Sequence, residues 1–153
     1  MLGKLNSYEV DALFKTEVIG RIGCSIHNKT HIVPVYYAYD GKYIYGVSKE
    51  GNKIDIMRKN PQVCFEVEHV ENLAHWKTAV LQGEFEEVTD KEERRKILQI
   101  IHARSMPVIV GEIAHLSPYW PFEPSDMNSI EGVVYRIAIT EKEGRFEKNE
   151  IKS

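Results

Sequence analysis

Between Val18 and Val88 the chain reads as strand after strand, interrupted by one short helical run, and this succession limits its fold more than any other feature. Val18 to His27 is a strand, with Gly20 and Gly23 as points of bending or close approach. Asn28 to Thr30 is a turn, and Ile32 to Tyr39 is the next strand. Pro34 inside that strand lacks an N–H and calls for a bulge or a sheet edge. Asp40-Gly41 signals a hairpin into Lys42–Val47. A helical run from Asn52 to Lys59 stops at Asn60-Pro61. Val63 to Val70 alternates, with Val63, Phe65 and Val67 on one face, and Trp76 to Val88 is a longer strand. Consecutive strands predict a mainly β fold: a β-barrel of six or so antiparallel strands with peripheral helices, not an alternating βαβ sheet.

The remaining elements are fewer. Asn6 to Lys15 reads as a helix, capped by Asn6 or Ser7, with Val10, Leu13 and Phe14 on one face. Asp90 to about Arg104 is a second, with Thr89 and Glu92 in a capping-box pattern and Ile97, Leu98 and Ile101 as its apolar stripe. Ser105 to Asn128 is irregular, with a short helix expected near Val108–Ala114. Gly132 to Thr140 is the last expected strand, and the charged tail from Glu141 is expected to be loose.

At 153 residues, with 42% hydrophobic and 28% charged residues, the chain fits a single globular domain over 1–153. A net charge of −3 gives no broad electrostatic reason to bind nucleic acid. No apolar run is long enough to cross a membrane, and the N-terminus carries no apolar signal core. Cys24 and Cys64 lie inside strands without CxxC spacing and read as free thiols of a cytoplasmic protein. No HExxH or Cys/His cluster suggests a metal; His27 and His31, and likewise His69 and His75, flank turns and read as surface or hydrogen-bonded histidines.

The stretch with chemical content is Gly41 to Pro61, GKYIYGVSKEGNKIDIMRKNP. Ser48 offers a hydroxyl, Gly51 permits close approach of the backbone, and Asn52 and Lys53 bring a polar group and a cation to the first turn of a helix. Free N–H groups and the helix dipole favour an anion there, so the stretch is a candidate cradle for the phosphate of a cofactor. Taken alone, these residues are better explained by a polar turn with an ordinary helix start, because the motif is short.

The wider pattern adds weight. The segments RIGCSIHNKTHIVPVYYAYDGKYIYGVSKEGNKIDIMRKNPQVCFEVE and HWKTAVLQGEFEEV, covering roughly Ile19 to Val88, together resemble the pyridoxamine-phosphate-oxidase-like family of FMN-binding split barrels. The likeness is to its branch of small flavin proteins related to nitroimidazole-resistance reductases. That resemblance implies FMN as cofactor, with main-chain groups of the strand around Val33, Pro34 and Val35 along the flavin ring. It implies Tyr45, Gly46 and Ser48 along the ribityl chain and phosphate. Asn52 and Lys53 match the basic pair that holds phosphate in the oxidases; the first member is Asn rather than Arg, which leaves more of the anion to Lys53. Lys77 and Thr78 match the strand segment that reaches the cofactor. The resemblance also implies a homodimer with FMN at the subunit interface, so that Thr78 acts across it.

Two departures restrict what carries over. The chain ends RFEKNEIKS, without the Arg- and Pro-containing segment by which the vitamin B6 oxidases bind substrate. Val47 stands where many nitroimidazole-resistance relatives have histidine. The expected function is an oxidoreductase passing electrons from a nicotinamide cofactor or a reductase through FMN to a small nitroaromatic or quinone-type acceptor. A non-catalytic flavin carrier, or the same barrel holding haem or a deazaflavin, are the alternatives. His115, beside Tyr119 and Trp120 in the irregular segment, is the candidate for substrate binding or proton supply. The apolar Trp120-Pro121-Phe122 cluster is the candidate for a lid or a partner contact.

Overall fold

The computed structural model describes residues 1–104 and 131–149. Among them are eight strands: β1 (Leu2–Lys4), β2 (Ile19–Ile26), β3 (Lys29–Tyr36), β4 (Ala38–Tyr39), β5 (Tyr43–Ser48), β6 (Gln62–Asn72), β7 (His75–Val88) and β8 (Val133–Lys148). Three helices accompany them: α1 (Ser7–Thr16), α2 (Asn52–Lys59) and α3 (Lys91–Ala103). All strand pairs are antiparallel, in the order β3-β2-β6-β7-β8-β5-β4, with β1 added to β8. No helix among the described residues is long and apolar enough to cross a membrane.

The connection between β3 and β4 curls this sheet into a barrel. They are its two edge strands, yet only Tyr37 separates them in the chain. Tyr36 and Ala38 are two Cα steps apart, at most about 7 Å, so the edges must meet there. The expected single strand Ile32–Tyr39 is therefore two, broken at Tyr37 where the chain changes edges. Pro34 sits in the edge strand β3, where a missing N–H leaves no ladder bond unmade. The spine is the long pair β7–β8, whose register shifts between Gln82 and Gly83. Thr140 is the extra residue, and its hydroxyl donates to the Gln82 carbonyl at 3.1 Å. Such a bulge bends both strands, allowing one pair to serve two halves of a split barrel.

Helix α1 fills the barrel. Asn6 caps it, accepting the Glu9 N–H at 2.8 Å while the Glu9 carboxylate accepts the Asn6 N–H at 3.1 Å. Its Val10, Leu13 and Phe14 enter the main core with Ile22, Phe65, Leu81 and Ile137. Tyr37, fully buried at the seam, packs edge-on against Phe65 at 4.8 Å and donates its hydroxyl to the Phe14 carbonyl at 2.6 Å. Arg104 closes the seam from outside. Its guanidinium lies 4.5 Å from the Tyr37 ring centroid and donates to the carbonyls of Tyr37, Glu17 and Lys15. Helix α3 packs Ile97, Leu98 and Ile101 onto Tyr45, Val88 and Val134, a second core outside the barrel.

Two local expectations are corrected, and one strand is new. The α3 cap is Asp90, which accepts the Glu93 N–H at 3.0 Å, one residue later than the Thr89/Glu92 pattern. Residues 141–148 are not a loose tail: they continue β8, pairing with β7 and β1, and Gly144 is buried beneath Leu5 and Val10. Glu141, Glu143, Arg145 and Glu147 alternate with the face of Gly144 and Phe146, so composition concealed a strand. Leu2–Lys4, unassigned in the sequence, completes that part of the sheet.

Gly46 answers to internal packing. A Cβ there would lie 2.4 Å from the ring and hydroxyl of buried Tyr135, its cross-strand neighbour. Gly46→Ala should therefore destabilise the fold by about 1–3 kcal/mol in denaturant titration, the usual cost of overpacking a core.

Candidate functional site

The end of β5, the loop Lys49–Gly51 and the first turn of α2 form the candidate anion cradle. Ser48 ends β5 opposite Val133, half-buried, with its hydroxyl donating to the Lys49 carbonyl at 3.0 Å. Gly51 is the N-cap of α2 and supplies no side-chain cap. Its backbone is extended, and a Cβ would meet nothing within 4 Å, so neither strain nor packing requires glycine and the space above it is open. The Asp55 N–H bonds the Gly51 carbonyl; the first-turn N–H groups ahead of it have no partner within the helix.

Lys53 is half-buried in that first turn. Ile54, Ile56 and Met57 sink into the core, and Asn60 anchors the end of the helix by donating to the Ser25 carbonyl at 2.8 Å. This holds Lys53 beside Cys24 of β2. Burial pushes the Lys53 ammonium below its ordinary pKa, opposed by Cys24, and burial pushes the Cys24 thiol up against the pull of Lys53. Among the described residues Lys53 makes no ion pair with a carboxylate. Asn52 next to it is exposed.

The other sequence candidates divide by strand geometry. Cys24 is the cross-strand partner of His31, so β3 begins beside the cradle and Val33, Pro34 and Val35 continue along the sheet edge. Val33 and Val35 pack on the core, while Pro34 is exposed. Side chains alternate along β5: Ile44 and Gly46 face the barrel, Tyr43, Tyr45 and Val47 face α3. Tyr45 thus points away from the face that Ser48 shares with Gly46. Lys77 and Thr78 lie at the far end of the spine. Val88 is paired to Val134 and Val134 to Val47, whereas Thr78 is ten residues before Val88, roughly 30 Å of strand. The Thr78 hydroxyl donates to Glu66 at 3.0 Å, and Glu66 also pairs with Arg21 at 3.4 Å. One chain therefore unites Ser48, Asn52, Lys53 and the start of β3, and leaves Lys77 and Thr78 apart. His115 and the Trp120 cluster lie outside the described residues.

Comparison with known proteins supplies the family. The sequence profile of the family described as pyridoxamine 5'-phosphate oxidase matches residues 6–146. The chain belongs to this family. Its fold is the split barrel of pyridoxamine 5'-phosphate oxidase relatives. It is similar to an FAD-binding protein of Mesorhizobium loti, at 29% identity over 97% of this chain and 99% of that one, with a TM-score of 0.74. It shares its fold with a Bacteroides thetaiotaomicron protein provisionally named for 5-nitroimidazole antibiotic resistance (16% identity, 95% and 87% coverage, TM-score 0.72). The FAD-binding protein of Mycobacterium smegmatis is another structural likeness (19% identity, 94% and 97% coverage, TM-score 0.65). A curated Rhizobium meliloti protein is 34% identical over 70 residues, a match spanning 46% of this chain and 46% of that protein.

In this member of the family, two charge clusters, one beside the cradle and one at the opposite end of β5, were not legible from motifs. Arg58, in the last turn of α2, forks between Glu50 of the loop and Glu87 of β7. Its partners lie 8 and 29 residues away, so no local spacing announces the cluster. Asp40, read only as a hairpin residue, accepts the N–H groups of Lys42 and Tyr43 at 2.9 and 2.8 Å and the Tyr45 hydroxyl at 2.6 Å. Burial opposes ionisation of Asp40, but these hydrogen bonds outweigh it and hold the carboxyl below its ordinary range.

A carboxyl whose pKa falls on folding contributes stability above its unfolded value and loses that contribution as pH drops through the folded value. Asp40→Asn should accordingly melt below the wild type at neutral pH, and the gap should close in acid below about pH 4. Thermal melts across a pH series read this directly.

Proposed function

We propose that this protein binds FMN and works as an oxidoreductase, taking electrons from a nicotinamide cofactor or a reductase and passing them to a small nitroaromatic or quinone-type acceptor. The observation that carries the reading is Lys53: a half-buried cation without a carboxylate partner among the described residues, at a helix start that no side chain caps. Such an arrangement is costly unless an anion completes it. Ser48, the free N–H groups of the first turn and the open space at Gly51 fit one phosphate. FMN when bound supplies the hydride and electron chemistry. The chain's part is to hold the phosphate through Ser48, Asn52 and Lys53 and to lay the β3 edge at Val33–Val35 along the ring. Family membership and relatives named for FAD binding support a flavin.

A homodimer completes the reading. Lys77 and Thr78 are too far from the cradle of their own chain to share its ligand, and a second copy can bring them to it. The exposed Ile19, Ile32 and Val70 on β2, β3 and β6 give that copy apolar surface to cover. A second cofactor reading is FAD, favoured by the name of the Mesorhizobium loti relative.

The deciding experiment is an absorption spectrum of the purified protein from about 300 to 700 nm, with the chromophore released by heat and identified. Two flavin bands and released FMN are expected; released FAD would replace FMN in the reading, and a colourless protein that also ignores added flavin would overturn it. Lys53→Glu should weaken FMN binding by about 30-fold or more, equivalent to roughly 2 kcal/mol, because it places a like charge against the phosphate. Reduction of the bound flavin by NAD(P)H and faster reoxidation than free FMN by a quinone would mark an enzyme rather than a carrier.

A further inference from the structure

Arg58 makes an unusually complete set of contacts for a surface residue. Its Nη1 and Nη2 donate to the two carboxylate oxygens of Glu50 at 2.7 and 2.8 Å, and its Nε and Nη2 donate to those of Glu87 at 3.0 and 2.7 Å. Asp55, on its own helix, lies 3.8 Å away. All four side chains are partly or largely exposed, with Arg58 at 34% and Glu50 at 64%. Exposed ion pairs contribute little to stability, so the cluster's main consequence is where it holds its charges. Glu50 immediately precedes Gly51, the uncapped N-terminus of α2. A free carboxylate at that point is well placed to accept the N–H groups of the first turn, which have no partner among the described residues, as acidic side chains at helix starts do.

We propose that Arg58 is a positioning residue for the phosphate cradle: it clamps Glu50 away from the start of α2 and so keeps the protein's own carboxylate from occupying the anion's place. The inference rests on the phosphate reading above. Glu50 is then a resident competitor, silent while Arg58 holds it. Glu87 is the fixed end of the clamp, on the β7 strand of the spine, and does not compete. Lys53 by itself cannot favour the phosphate as strongly once Glu50 is free to fold onto the same N–H groups.

The test is fluorescence titration of FMN on intact protein, with a thermal melt of each variant. Glu50→Gln should bind FMN at least as tightly as wild type, since it removes the competing carboxylate. Arg58→Gln should bind about tenfold more weakly, in line with the strength of one carboxylate at a helix start. The double variant R58Q/E50Q should recover nearly all of the loss, and R58Q/E87Q should not. A purely structural role for Arg58 predicts equal rescue by either carboxamide, since both remove a carboxylate left without its partner. Equal rescue, no rescue, or wild-type affinity in Arg58→Gln would each overturn the proposal. Should the single variant fold poorly, comparison of the two double variants decides alone: R58Q/E50Q must bind the more tightly. Wild type that binds FMN while these contrasts are absent defeats only the role of Arg58; wild type that does not bind FMN defeats the phosphate reading and this inference with it.

Discussion

The structure turns on one topological constraint: the chain passes from one edge of its sheet to the other through a single residue, Tyr37. An open sheet cannot satisfy that connection, so the strands must roll until β3 and β4 meet. Rolling brings the inward residues of β2, β6, β7 and β8 around one space, and α1 fills it with Val10, Leu13 and Phe14. The seam itself carries a phenol and a peptide group that need partners. The Phe14 carbonyl takes the Tyr37 hydroxyl, and Arg104 takes the Tyr37 carbonyl. Helices α1 and α3 are thereby tied to the point of closure, and the buried polar groups leave the barrel one way to shut.

The position of the cradle follows from closure. With β5 paired to β8, its last residue, Ser48, comes out beside Val133 at the barrel rim. Helix α2 must then lie across that rim to bury Ile54, Ile56 and Met57. Its first turn is consequently pinned from below, with Lys53 against Cys24, and left open above Gly51. A site of this kind is rigid where it meets the barrel and accessible where a ligand would arrive. That combination is what preorganised anion binding needs, because little ordering remains for the moment of binding. Charges around it are handled in pairs, Arg58 with Glu50 and Glu87, Arg136 with Glu86.

Much of this was legible locally. Pro34 announced an edge, Asp40-Gly41 a hairpin, and Asn6 a cap; each is a residue whose backbone or side-chain chemistry suits one local geometry and resists others. The Ser48–Lys53 stretch was legible for the same reason, as a strand end joined to a helix start. What escaped notice involved distance along the chain. Residues 141–148 looked like a solvated tail because their inward partners, Gly144 and Phe146, make sense only beneath α1 and beside Gly3. Tyr45 looked available to a ligand until α3 covered its face. Thr78, assigned by the resemblance to act across a subunit interface, lies a strand's length from the cradle of its own chain.

The sequence alone determined the strand succession, the turn positions, the amphipathic faces of the helices and the residue types at the cradle, because these depend on backbone preferences and periodicity within a few residues. Tertiary structure decided the closure at Tyr37, the direction in which Tyr45 points, the separation of Lys53 from the carboxylates of the described residues and the grip of Arg58 on Glu50 and Glu87. Each of those joins residues from separate elements, and whether two such groups attract, exclude or ignore one another depends on a distance that only the folded barrel sets.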